Sequence, residues 1–288
     1  MLILSTRVGA IRVKLAAAAA LLVVLAPPAG AADPPEWTRP AAPFHVIGPI
    51  DYVGTEGLGS YLIHTRAGSI LIDAPMAENV AALERNIAAR DKLRNVKLIL
   101  LSHAHFDHAG GLAALKKATG ARLVVGAADK QAVETGTPPG EVDYGVIRFP
   151  AAPVDRGIRD GETVTLGGVT LTAVATPGHT PGCTSWRMRV VDRGTPRDIL
   201  FACSITVAGN RLVGNRAYPG IVGDFRHSFD RLAAIKADIV LPFHTVAAEL
   251  RERAGRGALV DATALPKLVQ NARTAFAADL AKQEQAAK

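Results

Sequence analysis

Residues 96–108 read Val-Lys-Leu-Ile-Leu-Leu-Ser-His-Ala-His-Phe-Asp-His, an apolar run that ends in three histidines and an aspartate. A short continuous apolar run bounded by polar residues is consistent with a buried strand. Side chains two apart on an extended chain point the same way, so His103 and His105 leave the strand end on one side. Asp107 and His108 then fall in the turn before a helix expected from Ala109 to Thr119 and closed by Gly120. Imidazoles with one carboxylate suit zinc better than magnesium or calcium, which prefer all-oxygen shells. Nothing in folding alone collects three of the chain's eight histidines at the end of a buried strand.

On the N-terminal side of this run, β-branched and aromatic residues predict strands at His45 to Val53, Gly59 to His64 and Ser69 to Asp73. Gly57-Leu58-Gly59 and Ala67-Gly68 punctuate them as turns. Val80, Leu83 and Ile87 make a helical stripe across Ala77 to Arg90. On the C-terminal side, strands are expected near Leu123 to Val125 and at Val169 to Ala175, Thr184 to Val191, Ile199 to Cys203 and Ile239 to Leu241. Helices are expected at Phe225 to Lys236 and from Pro266 to Lys282, and Gly136 to Asp160 reads as a long surface loop that could line a site. Strands that alternate with helices and also cluster in hairpins indicate an α/β protein with mixed sheets. Two further histidines each follow a strand candidate: His179 in Thr176-Pro177-Gly178-His179-Thr180-Pro181-Gly182, and His244 in Leu241-Pro242-Phe243-His244. Both can lie at the same sheet edge as the first loop.

The chain has 288 residues, 49% hydrophobic and 20% charged, enough to bury a full core without a staple. Arg7, Arg12 and Lys14 precede an apolar run from Leu15 to Ala26, then Pro27-Pro28 and the small residues Ala29-Gly30-Ala31. The run is shorter than the roughly 20 residues a bilayer span needs, so residues 1–31 read as a cleaved export signal rather than a signal anchor. Residues 32–288 are then a single domain, expected in the periplasm with no stable membrane association after cleavage. Residues 32–42 are a Pro-rich lead-in. Removing the signal takes away three positive charges and no negative ones, so the formal charge of +7 falls to +4. The remaining Lys and Arg are scattered among acidic residues, with no run suited to nucleic acid. Cys183 and Cys203 are an even pair in an exported chain, which permits a disulfide.

The His-x-His-x-Asp-His run, the later Gly178-His179-Thr180-Pro181-Gly182 and the last histidine after a strand resemble the metallo-β-lactamase superfamily. Tyr52-Val53-Gly54-Thr55, Gly57 to Ile63, Ile70-Leu71-Ile72-Asp73, Trp186 and Tyr218-Pro219-Gly220 are similar to its subclass B3 in particular. The resemblance runs from about Trp37 to the C-terminal helix. It implies a four-layer αββα sandwich of two mixed sheets, with two zinc ions at the rim. His103, His105 and His179 would hold the first zinc; Asp107, His108 and His244 would hold the second, with Asp107 also orienting the nucleophile. Ser204 and Thr206 would bind the substrate carboxylate. The implied activity is hydrolysis of the β-lactam amide bond by a metal-bound hydroxide, conferring antibiotic resistance, with the small-molecule substrate as partner; the sequence leaves the oligomeric state open, with a monomer favoured. A same-fold lactonase or other zinc ester hydrolase is the alternative, and a zinc-dependent binding protein a third.

Several positions depart from the family or leave its implications open. Subclass B1 places a cysteine ligand where this chain has Ser204, one residue after Cys203. The resemblance favours a Cys183–Cys203 disulfide, against two buried thiols or a Cys203 ligand. The chain lacks the metal-bridging aspartate that many non-lactamase members carry in this region, which lowers the glyoxalase and nuclease readings. Asp73-Ala74-Pro75 stands where most relatives have Asp-Gly-Gly, and Cys203 where this branch often has aspartate. Asp73 either fixes a ligand imidazole or caps a turn; Trp37 either covers the substrate groove or packs as an ordinary aromatic. His45, His64 and His227 match no ligand position and read as structural.

Overall fold

The computed structural model describes residues 33–288, so the expected signal over residues 1–31 lies outside the described residues. Strands β1 (Phe44–Ile47), β2 (Ile50–Tyr52), β3 (Tyr61–Thr65) and β4 (Gly68–Ile72) lead into helix α1 (Val80–Ala88), then β5 (Val96–Leu100), α2 (Phe106–Ala109) and α3 (Leu112–Thr119). The chain continues as β6 (Arg122–Gly126), α4 (Lys130–Thr135) and β7 (Arg156–Ile158). Strands β1 to β7 form one sheet in chain order, antiparallel up to β4 and parallel from β4 to β7. A second sheet holds β8 (Thr163–Leu166), β9 (Val169–Ala175), β10 (Thr184–Asp192), β11 (Thr195–Ala202) and, after helix α5 (Ile221–Ala233), β12 (Ile239–Pro242). β12 joins β11 in parallel. Helices α6 (Ala247–Gly255) and α7 (Ala264–Ala286) finish the chain.

Side-chain alternation along the strands builds the layers. On β4 and β5, Ile70, Ile72, Leu98 and Leu100 face the second sheet and meet Trp186, Ile199 and Phe201 from it. The intervening Leu71 and Ile99 face outward onto Leu83 and Ile87 of α1 and Leu112 and Leu115 of α3. On β11, Leu200 and Ala202 face the other way, onto Phe225 and Phe229 of α5 and Val269 and Phe276 of α7. Helix, sheet, sheet and helix therefore stack as the αββα sandwich with two mixed sheets.

Differences from the sequence reading have local causes. The single strand expected over His45 to Val53 is a hairpin, because Gly48 adopts a left-handed φ of 54° and turns the chain ahead of Pro49. The stretch expected as loop from Gly136 to Asp160 contains β7, a sheet-edge strand of Arg156, Gly157 and Ile158 with only Ile158 buried, so it carries no apolar signal. Helices α4 and α6 bury two residues each, too few to leave a stripe.

Register brings the functional loops to one rim. Ile72 lies opposite Leu100, and Leu100 opposite Val124, so β4, β5 and β6 end together. In the second sheet Ala175 lies opposite Thr184, and Ala202 opposite Pro242, so the ends of β9, β11 and β12 also align. The Trp186 indole N–H donates to Leu101 O at 3.1 Å and Thr184 N–H to Ser102 O at 2.8 Å, which locks the two rims together. Loops at the carboxyl ends of strands are where α/β sheets offer a site.

Candidate metal centre

Two triads of donor atoms occupy this rim. His103 Nε2 and His105 Nδ1 each lie 3.1 Å from His179 Nε2. Beside them, His108 Nε2 lies 3.1 Å from His244 Nε2, and Asp107 Oδ2 lies 3.2 and 3.3 Å from those two nitrogens. The rings of His103 and His108 are 4.1 Å apart, so the triads adjoin. Tetrahedral zinc with bonds of about 2.0–2.1 Å separates neighbouring donors by about 3.3 Å. The observed spacing therefore suits a divalent metal, and so does the mixture of imidazole and carboxylate. Five of the six side chains are buried; His244 is exposed.

Each ring is aimed by the atom behind it. Asp73 directly follows β4, with φ at 62°, and is fully buried. Its carboxylate accepts from Ser102 N–H at 2.7 Å, from Ser102 Oγ–H at 2.6 Å and from His108 Nδ1–H at 2.8 Å. Ser102 Oγ in turn accepts from His103 Nδ1–H at 3.0 Å, so one carboxylate orients a ring in both triads. His179 Nδ1–H donates to Thr206 O at 2.8 Å. His105 is held differently: its Nε2 is buried without a partner among the described residues, and the ring packs at 4.9 and 4.7 Å from those of His103 and His179.

Close backbone approaches hold the loops that carry these residues. A Cβ on Gly178 (φ 132°) would sit 2.7 Å from the Phe225 ring, so only glycine lets the His179 loop lie on α5. Gly59 N–H donates to Phe243 O, and a Cβ there would meet the backbone of Pro242 and Phe243 at 3.1 Å. With the Tyr61 hydroxyl donating to Pro242 O at 2.7 Å, the turn before β3 pins the strand that presents His244.

Electrostatics divides the triads. Burial holds the imidazoles of His103 and His179 well below the usual histidine range and brings His105 down to about 4, so all three are neutral and ready to ligate. Burial pulls His108 the same way, but the Asp107 and Asp73 carboxylates outweigh it and push its pKa up to about 10. Asp107 is driven well below the ordinary carboxylate range: burial opposes ionisation, and His108 and His244 overcome it.

Cys183 and Cys203 form a disulfide, which sets aside both buried thiols and a Cys203 ligand. It sits directly behind the first triad, with Cys203 Sγ 3.7 Å from His103 Nδ1. Ser204 is half-buried and the Thr206 side chain exposed on the loop that leaves β11; the carbonyl that Thr206 lends to His179 was not legible in sequence. Asp73 is a ring-orienting residue, the first of its two expected roles. Trp37 packs its ring 5.2 Å from His244 and 6.3 Å from Phe106, beside the second triad. His45 and His64 bond the buried Asp51, and His227 is exposed on α5, so none of the three belongs to the site. The loop before β7 reaches the rim: Val142 bridges Asn210, whose Nδ2 donates to His179 O at 3.1 Å. On that loop, burial and then the Asp107 charge raise the pKa of the Tyr144 hydroxyl. A cavity of about 650 Å³ opens beside Trp37, Val246 and Arg251, but His244 alone of the six lines it, so it does not span both triads.

A family model described as Metallo-beta-lactamase superfamily matches residues 59–244. Among solved structures, BJP-1, a subclass B3 metallo-β-lactamase of Bradyrhizobium japonicum, superposes with a TM-score of 0.84 at 42% identity, covering 88% of this chain and 99% of that one. The FEZ-1 metallo-β-lactamase from Legionella gormanii gives 0.78 at 35% identity over 85% and 98%. A curated relative, the hydroxyacylglutathione hydrolase of Cereibacter sphaeroides, is 28% identical over 184 residues, 63% of this chain. The chain spans 60% of that protein's length, and 47% and 42% of the next two curated relatives.

Proposed function

We propose that this chain, which belongs to the metallo-β-lactamase superfamily, hydrolyses the amide bond of β-lactams: penicillins, cephalosporins and carbapenems. The observation that carries the reading is the pair of adjoining triads, one of three imidazoles and one of two imidazoles with a carboxylate, on a chain that covers 99% of a subclass B3 enzyme at 42% identity. His103, His105 and His179 would hold one zinc ion, and Asp107, His108 and His244 a second. Bound zinc would supply Lewis acidity and lower the pKa of a coordinated water to about 7. Asp107, kept ionised by His108 and His244, would accept a hydrogen bond from the attacking water and orient it. Asp73 keeps its proton-bearing partners fixed, holding His108 by Nδ1 and His103 through Ser102. Ser204 and Thr206, on the loop after β11, would receive the substrate carboxylate by hydroxyl donation, with Tyr144 on the facing loop. Export to the periplasm, where β-lactams would be met and a disulfide persists, fits the same reading.

The test is hydrolysis of a penicillin and a carbapenem by the mature protein, with zinc supplied, removed by chelator and restored. Turnover that disappears and returns with the metal supports the reading. A second reading, hydrolysis of a lactone or thioester, is favoured by the curated relative's name and is assayed in parallel with a homoserine lactone and a hydroxyacylglutathione. Turnover of either, with none of the β-lactams at full zinc loading, would replace the first reading by the second.

A further inference from the structure

Asp129 is a fully buried carboxylate that makes no hydrogen bond or ion pair to any of the six side chains of the two triads, yet it bonds both loops that carry the first triad. Its Oδ2 accepts from Ala104 N–H at 2.9 Å, the amide between His103 and His105, and from Thr180 Oγ–H at 2.7 Å, the hydroxyl next to His179. Its Oδ1 accepts from Gly182 N–H at 2.7 Å, farther along the His179 loop. Asp129 occupies the N-cap of α4, where an aspartate ordinarily accepts from the helix's own first amides; here it makes no cap bond. The carboxylate is spent on the loops instead.

The backbone around it is cut to fit. A Cβ on Gly182 would lie 2.6 Å from both Cβ and Cγ of Asp129, and a Cβ on Gly126 would lie 2.0 Å from Gly182 O. Glycine at both places lets the His179 loop lie flush on the turn that bears Asp129. No cation contacts the carboxylate among the described residues. Burial raises its pKa to about 6, with the bonds from Thr180, Ala104 and Gly182 working against that rise. Burying an unpaired carboxylate costs stability, so its position calls for a role other than folding economy.

We propose that Asp129 is a positioning residue that clamps the His103–His105 loop to the His179 loop and thereby sets the spacing of the three imidazoles toward the first metal. The inference rests on the zinc reading of that triad and is independent of which substrate is cleaved. In Asp129→Asn an amide nitrogen replaces one acceptor oxygen. Thr180 can reverse its hydroxyl to suit, but the Ala104 and Gly182 amides cannot both be satisfied.

The test uses the mature protein, with zinc affinity read by chelator competition and cobalt(II) spectra read in the visible. Asp129→Asn is expected to weaken metal binding by the three-histidine site 10- to 100-fold and to change its cobalt bands, while the second site is unchanged. Asp51→Asn, which breaks the buried pair with Arg90 away from the ligand loops, is the control and is expected to lower the melting temperature with zinc affinity intact. Should Asp129→Asn fail to fold, Thr180→Val removes a single donor and is expected to weaken the same site by a smaller factor. Wild-type zinc affinity in the folded variant overturns the clamp, and so does an equal loss in the Asp51→Asn control. Zinc binding as described without β-lactam turnover would leave the clamp standing and remove only the substrate reading.

Discussion

His108 carries a charge in the metal-free protein that His103, His105 and His179 do not, and the difference is measurable. For His108 Nε2 to ligate, a proton must leave a ring whose pKa the neighbouring carboxylates hold near about 10. Below that pH the metal competes with the proton, so affinity at the Asp107–His108–His244 triad should rise about tenfold per pH unit between pH 6 and 9. The other triad should bind with no such slope above about pH 5, since burial already keeps its imidazoles neutral. Zinc titrations at several pH values, with released protons counted by calorimetry in buffers of different ionisation enthalpy, check this; equal slopes would count against it. Asp73→Asn probes the atom behind the rings. Asparagine tolerates the left-handed backbone at this position, so the fold should survive. One carboxamide oxygen cannot accept from Ser102 and His108 as two did, and zinc retention on dialysis should fall 10- to 100-fold. At this scale the sequence was most informative where chemistry is carried by residue type: three histidines and an aspartate within six residues admit few uses. Ser102, Asp129 and the Thr206 carbonyl were illegible because a serine, an aspartate or a peptide oxygen acquires its role only from what folds against it.

Strands and their turns were legible wherever apolar residues face a core, as in Val96–Leu100, and were missed where an element lies at an edge, as in β7. The disulfide belongs to this level, since it joins the approach to β10 with the exit of β11 across a sequence separation of 20. Cross-links of that span contribute about 3 kcal/mol through the unfolded chain. Replacing both cysteines by alanine should lower the unfolding free energy by about that amount in denaturant titration while leaving the zinc content of the protein unchanged. Loss of metal from the double variant would mean that the sulfurs do more than tie strands.

For the molecule as a whole, metal that binds only the folded state adds stability by mass action, about 4 kcal/mol at a thousandfold excess over the dissociation constant. A chain of this size gains about 2–4 °C per kcal/mol, so zinc should raise the melting temperature by roughly 8–16 °C over chelated protein. Coincident melts would argue against a resident metal. The mixed α/β class was readable from the alternation of elements, whereas the pairing of seven strands against five was not: β4 with β5, or β11 with β12, is a long-range choice that no local pattern encodes. That same wiring has a kinetic consequence. The facing atoms of His103 and His179 are 76 residues apart in sequence, and those of His108 and His244 are 136 apart. Neither triad can form until both sheets have found their register, and such non-local pairing is slow because loop closure must be achieved before any contact rewards it. A chain emerging residue by residue presents the His103–His108 run long before His179 and His244 arrive, so neither triad is complete, and neither reaches its full metal affinity, until late in folding.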